Sequence, residues 1–451
     1  MYPHASLTRS RLVRFASGVI FSIGACGIAV GACVNKSGRG GCYTTITDAV
    51  NNASPHETIK VAPGIYHEDV VIGMPLSLIG AGSRNTIIDA TGLPNGIYVN
   101  GGLMDIGVDH VNVTGFTVKN ANFQGILVTN ASFVNIADNR VTGNNTHLQL
   151  GAPPTCPGLE SFLGGVFVAG EGFDCGEGIH LSGVVHSTVS HNIVEANAGG
   201  ILLSDDTGGT HDNVLSGNIV RNNPYDCGIT IASHHFDAEN LDPAFGVYHN
   251  TITGNTSSAN GLATGEGAGV GLFTAAPGGQ TYGNVIVDNV LVNNGLPGVT
   301  MHSHAFNQDL NDNLIVGNQI SGNGADPDPE TGVPAGIDVF SDDTGMAAPI
   351  TGTVILQNTF KREGIDIAVK TPGSVDAHFN SFFDAVGVSN LNTDEGGVDA
   401  TENWWKCSRG PGGYGCADAV GYQIRTEPWL TKPPTLGEQD VHGYGDSHHH
   451  R

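Results

Sequence analysis

Basic residues are scarce in this chain. Lysine and arginine number 18 of 451 residues against 43 aspartates and glutamates, a formal charge of −25. A nucleic acid or an anionic membrane surface needs a basic face to bind, so both are excluded as partners. Charged residues of either sign make up only 14%, where ~25% is usual, and so thin a supply does not suit a helical protein. The 8 cysteines include no Cys-x-x-Cys pair, which argues against a zinc ribbon. The apolar run from Phe15 to Val30 is short and rich in glycine and alanine, so it does not read as a transmembrane anchor. Glycine, by contrast, is abundant: 66 residues, about twice the usual ~7%. Many short strands joined by tight turns fit this composition.

Arg9, Arg11 and Arg14 precede the apolar run, and Gly31-Ala32 follows it. This is the pattern of an export signal over residues 1–32. The mature chain is then secreted or periplasmic, and "VGAC" at Val30 to Cys33 also admits a lipoprotein signal. An oxidising destination allows disulfides. Nearness in sequence pairs Cys33 with Cys42, Cys156 with Cys175 and Cys407 with Cys416, leaving Cys227 as a buried thiol at a coil corner.

A repeat explains most of what remains. A small or polar residue, Asn, any residue and then Ile, Val, Leu or Phe recurs at Asn139, Asn192, Asn218, Asn250, Asn289, Asn318 and Asn358, and at Asn380 with Phe379 in the first place. A second motif opens with glycine and alternates apolar residues, beginning at Gly96, Gly125, Gly178, Gly200, Gly228, Gly269, Gly298, Gly336 and Gly364. From Gly178 onward the intervals are 22, 28, 41, 29, 38 and 28 residues. The shortest is a bare coil and the longer ones carry inserted loops. The pattern predicts an all-β fold, a single-stranded right-handed parallel β-helix. Ile179, Leu181, Ile201, Leu203, Ile229, Ile231, Ile337 and Val339 should point inward. The recurrent asparagines should bond their copies in the coils above and below. Ile46, Ala49 and Val50 at helical spacing predict an N-terminal helical cap over the open end. The expected boundaries are a cap over 33–57, the solenoid over 58–403, and a C-terminal cap and tail over 404–451.

The run from Thr45 to Gly92, the glycine and asparagine ladders, and "NWWKCSRGPGGYGC" from Asn403 to Cys416 resemble secreted right-handed parallel β-helix repeat proteins. This is the pectate-lyase-like superfamily, with its NosD-like or carbohydrate-binding and sugar-hydrolase repeats. The resemblance covers about residues 40 to 430. It implies a fold that hosts lyases, hydrolases, esterases, epimerases and non-enzymes, so it assigns no catalytic residue. The Arg-x-Pro-x-x-Arg pattern of pectate lyases and the Tyr-Gly-Phe-Asp-Pro-His segment of alginate epimerases are absent.

Alignment of the coils on their glycines places candidate residues. Asp205, Asp206, His234, His235, His302, His304, Asp338 and Asp342 fall on one strand edge, with Asp366 beside Asp338 and Lys370 beside Asp342. The two Ser-Asp-Asp-Thr-Gly stretches, at Ser204 and Ser341, lie on this edge. Each also reads as an Asx turn. His211, His191 and His249 read as turn residues. Gly271 and Ala275 should leave room for a ligand. Asp206, His234, His304 and Asp342 are the acid–base candidates. Asp205, His235, Phe273, His302 and Asp338 are the substrate-contacting ones. A calcium ion would take the oxygens of Asp205, Asp206 and Asp342. A transition metal would take His234, His302 and His304, and Asp205, Asp206 and His234 form a mixed set. The partner implied is a polysaccharide or cell-surface glycan acted on by a monomer, through a lyase or glycoside hydrolase. Few lysines or arginines are present to neutralise a uronate, which favours hydrolysis of a neutral glycan. The alternatives are a non-catalytic carbohydrate-binding β-helix and a NosD-like periplasmic metal-handling protein.

Overall fold

The computed structural model describes residues 32–102, 107–147, 176–234, 245–274, 277–326, 332–341 and 347–434. Every coil contributes three short strands, and like strands pair in parallel from coil to coil. Three sheets result. One runs from Cys33–Val34 to Ile424–Arg425, a second from Gly64–Tyr66 to Trp404–Trp405, and a third from Val70–Ile72 to Asp418–Gly421. The stack therefore continues past Asn403 and takes in both ends of the Cys407–Cys416 bridge region.

Local sequence explains the coil. In the coil from Thr188 the first strand is Thr188–Ser190 and the second is Ile193–Glu195, each burying only its middle residue. Between them His191 takes a left-handed φ of 56° and Asn192 turns inward. Asp138, Asp288, Gln357 and several glycines do the same in other coils. Short polar residues and glycine enter this region at least cost. His191 and His249 are exposed at such turns, as expected.

The asparagines form ladders, and there are three rather than one. The first runs Asn139, Asn192, Asn218, Asn255, Asn289, Asn318, Asn358, Asn380 and Asn403, each amide donating to the next at 2.9–3.2 Å. Asn250 belongs to a second ladder with Asn213, Asn284 and Asn313. The third runs from Asn144 to Asn323 and ends on the carboxylate of Glu363. The single ladder expected from the motif is corrected accordingly. Asn255 sits in the first ladder but escapes the sequence motif because Ser257 stands at the inward position that is apolar elsewhere. Its hydroxyl is satisfied by Gly269 O at 2.8 Å.

The interior is continuous and apolar. All eight residues expected to point inward are fully buried in it. The helix α1, Ile46–Asn51, caps the first coils with Ile46, Ala49 and Val50 buried and Thr45 capping its N-terminus. Trp405 closes the other end against Phe382, with ring centroids 4.8 Å apart. Disulfides join Cys33 to Cys42 and Cys407 to Cys416. Cys156, Cys175 and the expected export signal fall outside the described residues.

Seven consecutive third-sheet strands carry the site: β1 Glu177–Val185, β2 Gly199–Ser204, β3 Ile229–Ser233, β4 Val270–Thr274, β5 Val299–Ser303, β6 Ala335–Ser341 and β7 Ile365–Lys370. In the other two sheets outward residues are part-exposed. Here both faces are buried along almost every strand. A parallel sheet covered on both faces is stable without alternation, so polar side chains on its outer face were placed in a dry setting.

Candidate functional site

The pairing register follows the glycines from β1 to β6. Ile179, Ile201, Ile229, Val270, Val299 and Ile337 are successive partners. His180, Leu202, Thr230, Gly271, Thr300 and Asp338 therefore form one outward row. Ser182, Ser204, Ala232, Phe273, His302 and Phe340 form the next. At β7 the glycine alignment slips by two residues. Asp338 pairs with Ala368 and Phe340 with Lys370. Asp366, not Gly364, occupies the glycine column opposite Gly336, so neither Asp366 nor Lys370 joins the site as expected. Its carboxyl is fully buried. Burial first, then Asp384 and Glu363, push its pKa well above the usual carboxylate range.

The expected single groove is two clusters separated by an apolar plug. In the first cluster, Asp206 Oδ1 accepts from His234 Nδ1 at 3.0 Å. Ser204 Oγ donates to Asp206 Oδ2. His180 Nε2 lies 2.7 Å from Ser204 Oγ, and Gln124 Nε2 lies 3.1 Å from His180 Nδ1. The Asp206 and His234 side chains are each 3% exposed. Burial alone would raise the pKa of Asp206; the charge and hydrogen bond of His234, with help from His180 and Ser204, outweigh it and hold the carboxyl low. Asp205 points the other way. It accepts from His234 N at 2.7 Å, Ser233 Oγ at 2.8 Å and Gly246 N at 2.9 Å. It is a brace for the strand end, and its oxygens are already occupied.

The plug is Cys227, Ala268, Leu296 and Phe273. Gly271 does not leave room for a ligand. A Cβ there would stand 2.2 Å from Phe273 Cε2 and 3.1 Å from Cys227 Sγ, so the Phe273 ring already fills the space. Phe273 is half-buried, its ring folded over Gly271 against the plug. Cys227 is buried as expected, its sulfur accepting from Ala268 N at 3.1 Å.

Beyond the plug lies the second cluster. His302 Nε2 is 2.6 Å from Asp326 Oδ2 and 3.8 Å from Asp338 Oδ2. Thr300 Oγ1 is 3.0 Å from the same nitrogen. The rings of Phe273 and Phe340 meet His302 edge-on, centroids 5.5 and 5.4 Å away. Burial opposes the charge on His302, but its hydrogen bond to Asp326 and the nearby carboxylate of Asp338 raise its pKa. Burial raises that of Asp338 against the pull of His302. His304 is exposed, on a turn held by Gln308, whose Oε1 accepts from His304 N at 2.7 Å. Its ring lies 5.3 Å from that of His302. Asp342, His235 and Ala275 lie outside the described residues.

Sequence reasoning brought Asp206 and His234 together and placed His302 and Asp338 on the same strand edge. It missed Ser204 and Gln124, and it left out His180, which stood in the aligned outward row. Asp326 carries no periodic signal, because it enters from the loop before β6. The histidine trio expected to hold a metal is divided by the plug, and Asp205, Asp206 and His234 do not converge.

The comparisons agree with the fold. Residues 164–330 match the family model described as "Periplasmic copper-binding protein (NosD)". A solved Dettilon tailspike protein is similar over 84% of this chain and 65% of its own, at 17% identity and a TM-score of 0.54. The DFA-IIIase from Arthrobacter chlorophenolicus A6, without its lid and in complex with GF2, is similar over 86% and 96%, at 12% identity and a TM-score of 0.50. The chain is a right-handed parallel β-helix repeat protein. No curated protein sequence matches it. The NosD-matched stretch of the β-helix includes His180, Ser204, Asp206, His234, His302 and Asp326, and stops short of Asp338. No helix of its described residues is long and apolar enough to cross a membrane.

Proposed function

We propose that this β-helix is an exported, glycan-active protein that hydrolyses a neutral polysaccharide through Asp206 and His234. The observation that carries the reading is the Asp206–His234 pair. A carboxylate held ionised is bonded at 3.0 Å to an imidazole on the one sheet whose outer face is dry. In such a setting Asp206 orients the ring and stabilises the imidazolium that forms when His234 takes a proton from water. Ser204 and His180 fix the carboxylate from behind. His304 stands beyond the plug, two coils on and roughly 10 Å away by strand spacing, so it is not the partner of His234 and the leaving oxygen takes its proton from solvent. Asp338 is three coils from His234, roughly 14 Å, and too far to be its partner.

The net charge of −25 supports a neutral substrate. The two disulfides support export to an oxidising compartment. The DFA-IIIase likeness adds a fold that accommodates sugar chemistry. The test is a polysaccharide panel read for reducing ends and for the ultraviolet absorbance of unsaturated ends. Reducing ends alone, lost in Asp206→Asn, support the proposal. Unsaturated ends would mean a lyase, and silence on both would leave a binding protein; either result overturns it.

A further inference from the structure

We propose that His302, Asp326 and Asp338 form a binding site for one divalent transition-metal cation. The three residues come from three segments: β5, the loop before β6, and β6 itself. Thr300 and Asp338 are direct register partners, so the two strands hold the donors on a fixed frame. One donor atom from each of the three residues lies within 4.8 Å of the other two. A tetrahedral ion with bonds of about 2.0–2.2 Å needs ligand atoms roughly 3.4 Å apart. The observed separations of 2.6 and 3.8 Å from His302 Nε2 bracket that value, so the ligands need move by less than about 1 Å.

A second observation points the same way. Asp338 is 1% exposed, yet its Oδ1 has no hydrogen-bond partner. A buried carboxylate oxygen left unbonded is costly. Two buried carboxylates facing one imidazole also leave excess negative charge in a dry pocket. A divalent ion bound through neutral imidazole and two carboxylates balances it to zero. The rings of Phe273 and Phe340 exclude water from two sides. Thr300 Oγ1, 3.0 Å from His302 Nε2, offers a further oxygen.

The donor set chooses the ion class. One imidazole nitrogen with carboxylate oxygens suits zinc, manganese or copper(II). Calcium takes oxygen ligands, and copper(I) prefers sulfur. A second group, Asp376, His378 and Asp399, also brings donors within 4.8 Å. There Asp399 is already paired with Arg425, and Asp376 is exposed, so the cation's place is contested. This inference stands apart from glycan activity.

The test is calorimetric titration of the full chain, stripped with a chelator, with zinc, manganese and copper(II) salts in turn and no glycan present. The expected result is one site of micromolar affinity or tighter. Asp338→Asn and His302→Ala should weaken it at least tenfold, while His378→Ala leaves it unchanged. If His302→Ala does not fold, Asp326→Asn, in a loop rather than a strand, must show the same loss. Cobalt(II) substitution should add visible absorption bands of a four- or five-coordinate ion, absent in Asp338→Asn. No site in the wild type, equal affinity in Asp338→Asn and Asp326→Asn, or loss in His378→Ala overturns the proposal.

Discussion

Asn255→Ala removes one rung from the middle of the longest ladder. Four side-chain bonds go with it. Asn255 Nδ2 donates to Leu215 O at 2.9 Å and to Asn289 Oδ1 at 3.0 Å. Its Oδ1 accepts from Asn218 N and Asn218 Nδ2, both at 2.9 Å. All of these groups are buried. Asn289 Oδ1 keeps the backbone donor of residue 255, which the substitution does not touch. Three polar groups then each lose a bond: Leu215 O, Asn218 N and one hydrogen of Asn218 Nδ2. At about 1 kcal/mol or somewhat more for each, the loss is about 3–5 kcal/mol. For roughly 400 ordered residues the unfolding entropy is about 0.8 kcal/mol/K, so Tm should fall by about 4–6 °C. Scanning calorimetry against wild type, with the exposed Asn52→Ala as control, measures it. A fall of less than about 1 °C would show that water or rearrangement satisfies the gap, and that the ladder is not what holds the corner.

Glu363 ends the third ladder. Burial, aided by Asp384 and opposed by Asn323, raises its pKa from 4.5 to about 7. Between those values the folded carboxyl keeps a proton that the unfolded chain has released, so stability falls as pH rises through that window. Glu363→Gln should match wild type in melting at pH 4 and exceed it at pH 8; an equal difference at both refutes the shift. Asp206 has the opposite sign: its lowered pKa gives stability above its unfolded value that is lost on acidification below it. Asp206→Asn should flatten that acid limb, and an unchanged limb counts against the ion pair. Gly271→Ala should cost about 1–3 kcal/mol, because the Phe273 ring must leave its place; an unchanged Tm means the plug is loose. Peptide mapping without reduction should recover Cys156 joined to Cys175, and any other partner for Cys175 refutes local pairing.

The solenoid was legible because its rules repeat. Glycine recurs where one coil passes close over the next. A Cβ on Gly200 would stand 2.0 Å from Gly228 O, so the column tolerates little else. Asparagine recurs because a buried corner needs the same amide in every coil. Reading failed where one coil departs from its neighbours. Asp366 fills the glycine column, so the motif two residues earlier misled the register. Ser257 broke the asparagine motif at Asn255. The site was half legible for the same reason. Asp206 and His234 follow β2 and β3 in register and were placed together. Asp326 arrives from a loop of no period, and Phe273 folds back over Gly271, a packing choice that strand spacing does not encode.

The central claim is that Asp206 works through His234. Its most direct test is the initial rate of reducing-end release by Asp206→Asn on whichever glycan the wild type cleaves best. The account predicts a rate at least ~100-fold lower in a protein that still folds, its neutral-pH melting temperature lowered by loss of the ion pair. Wild-type rate in a folded Asp206→Asn protein would contradict it.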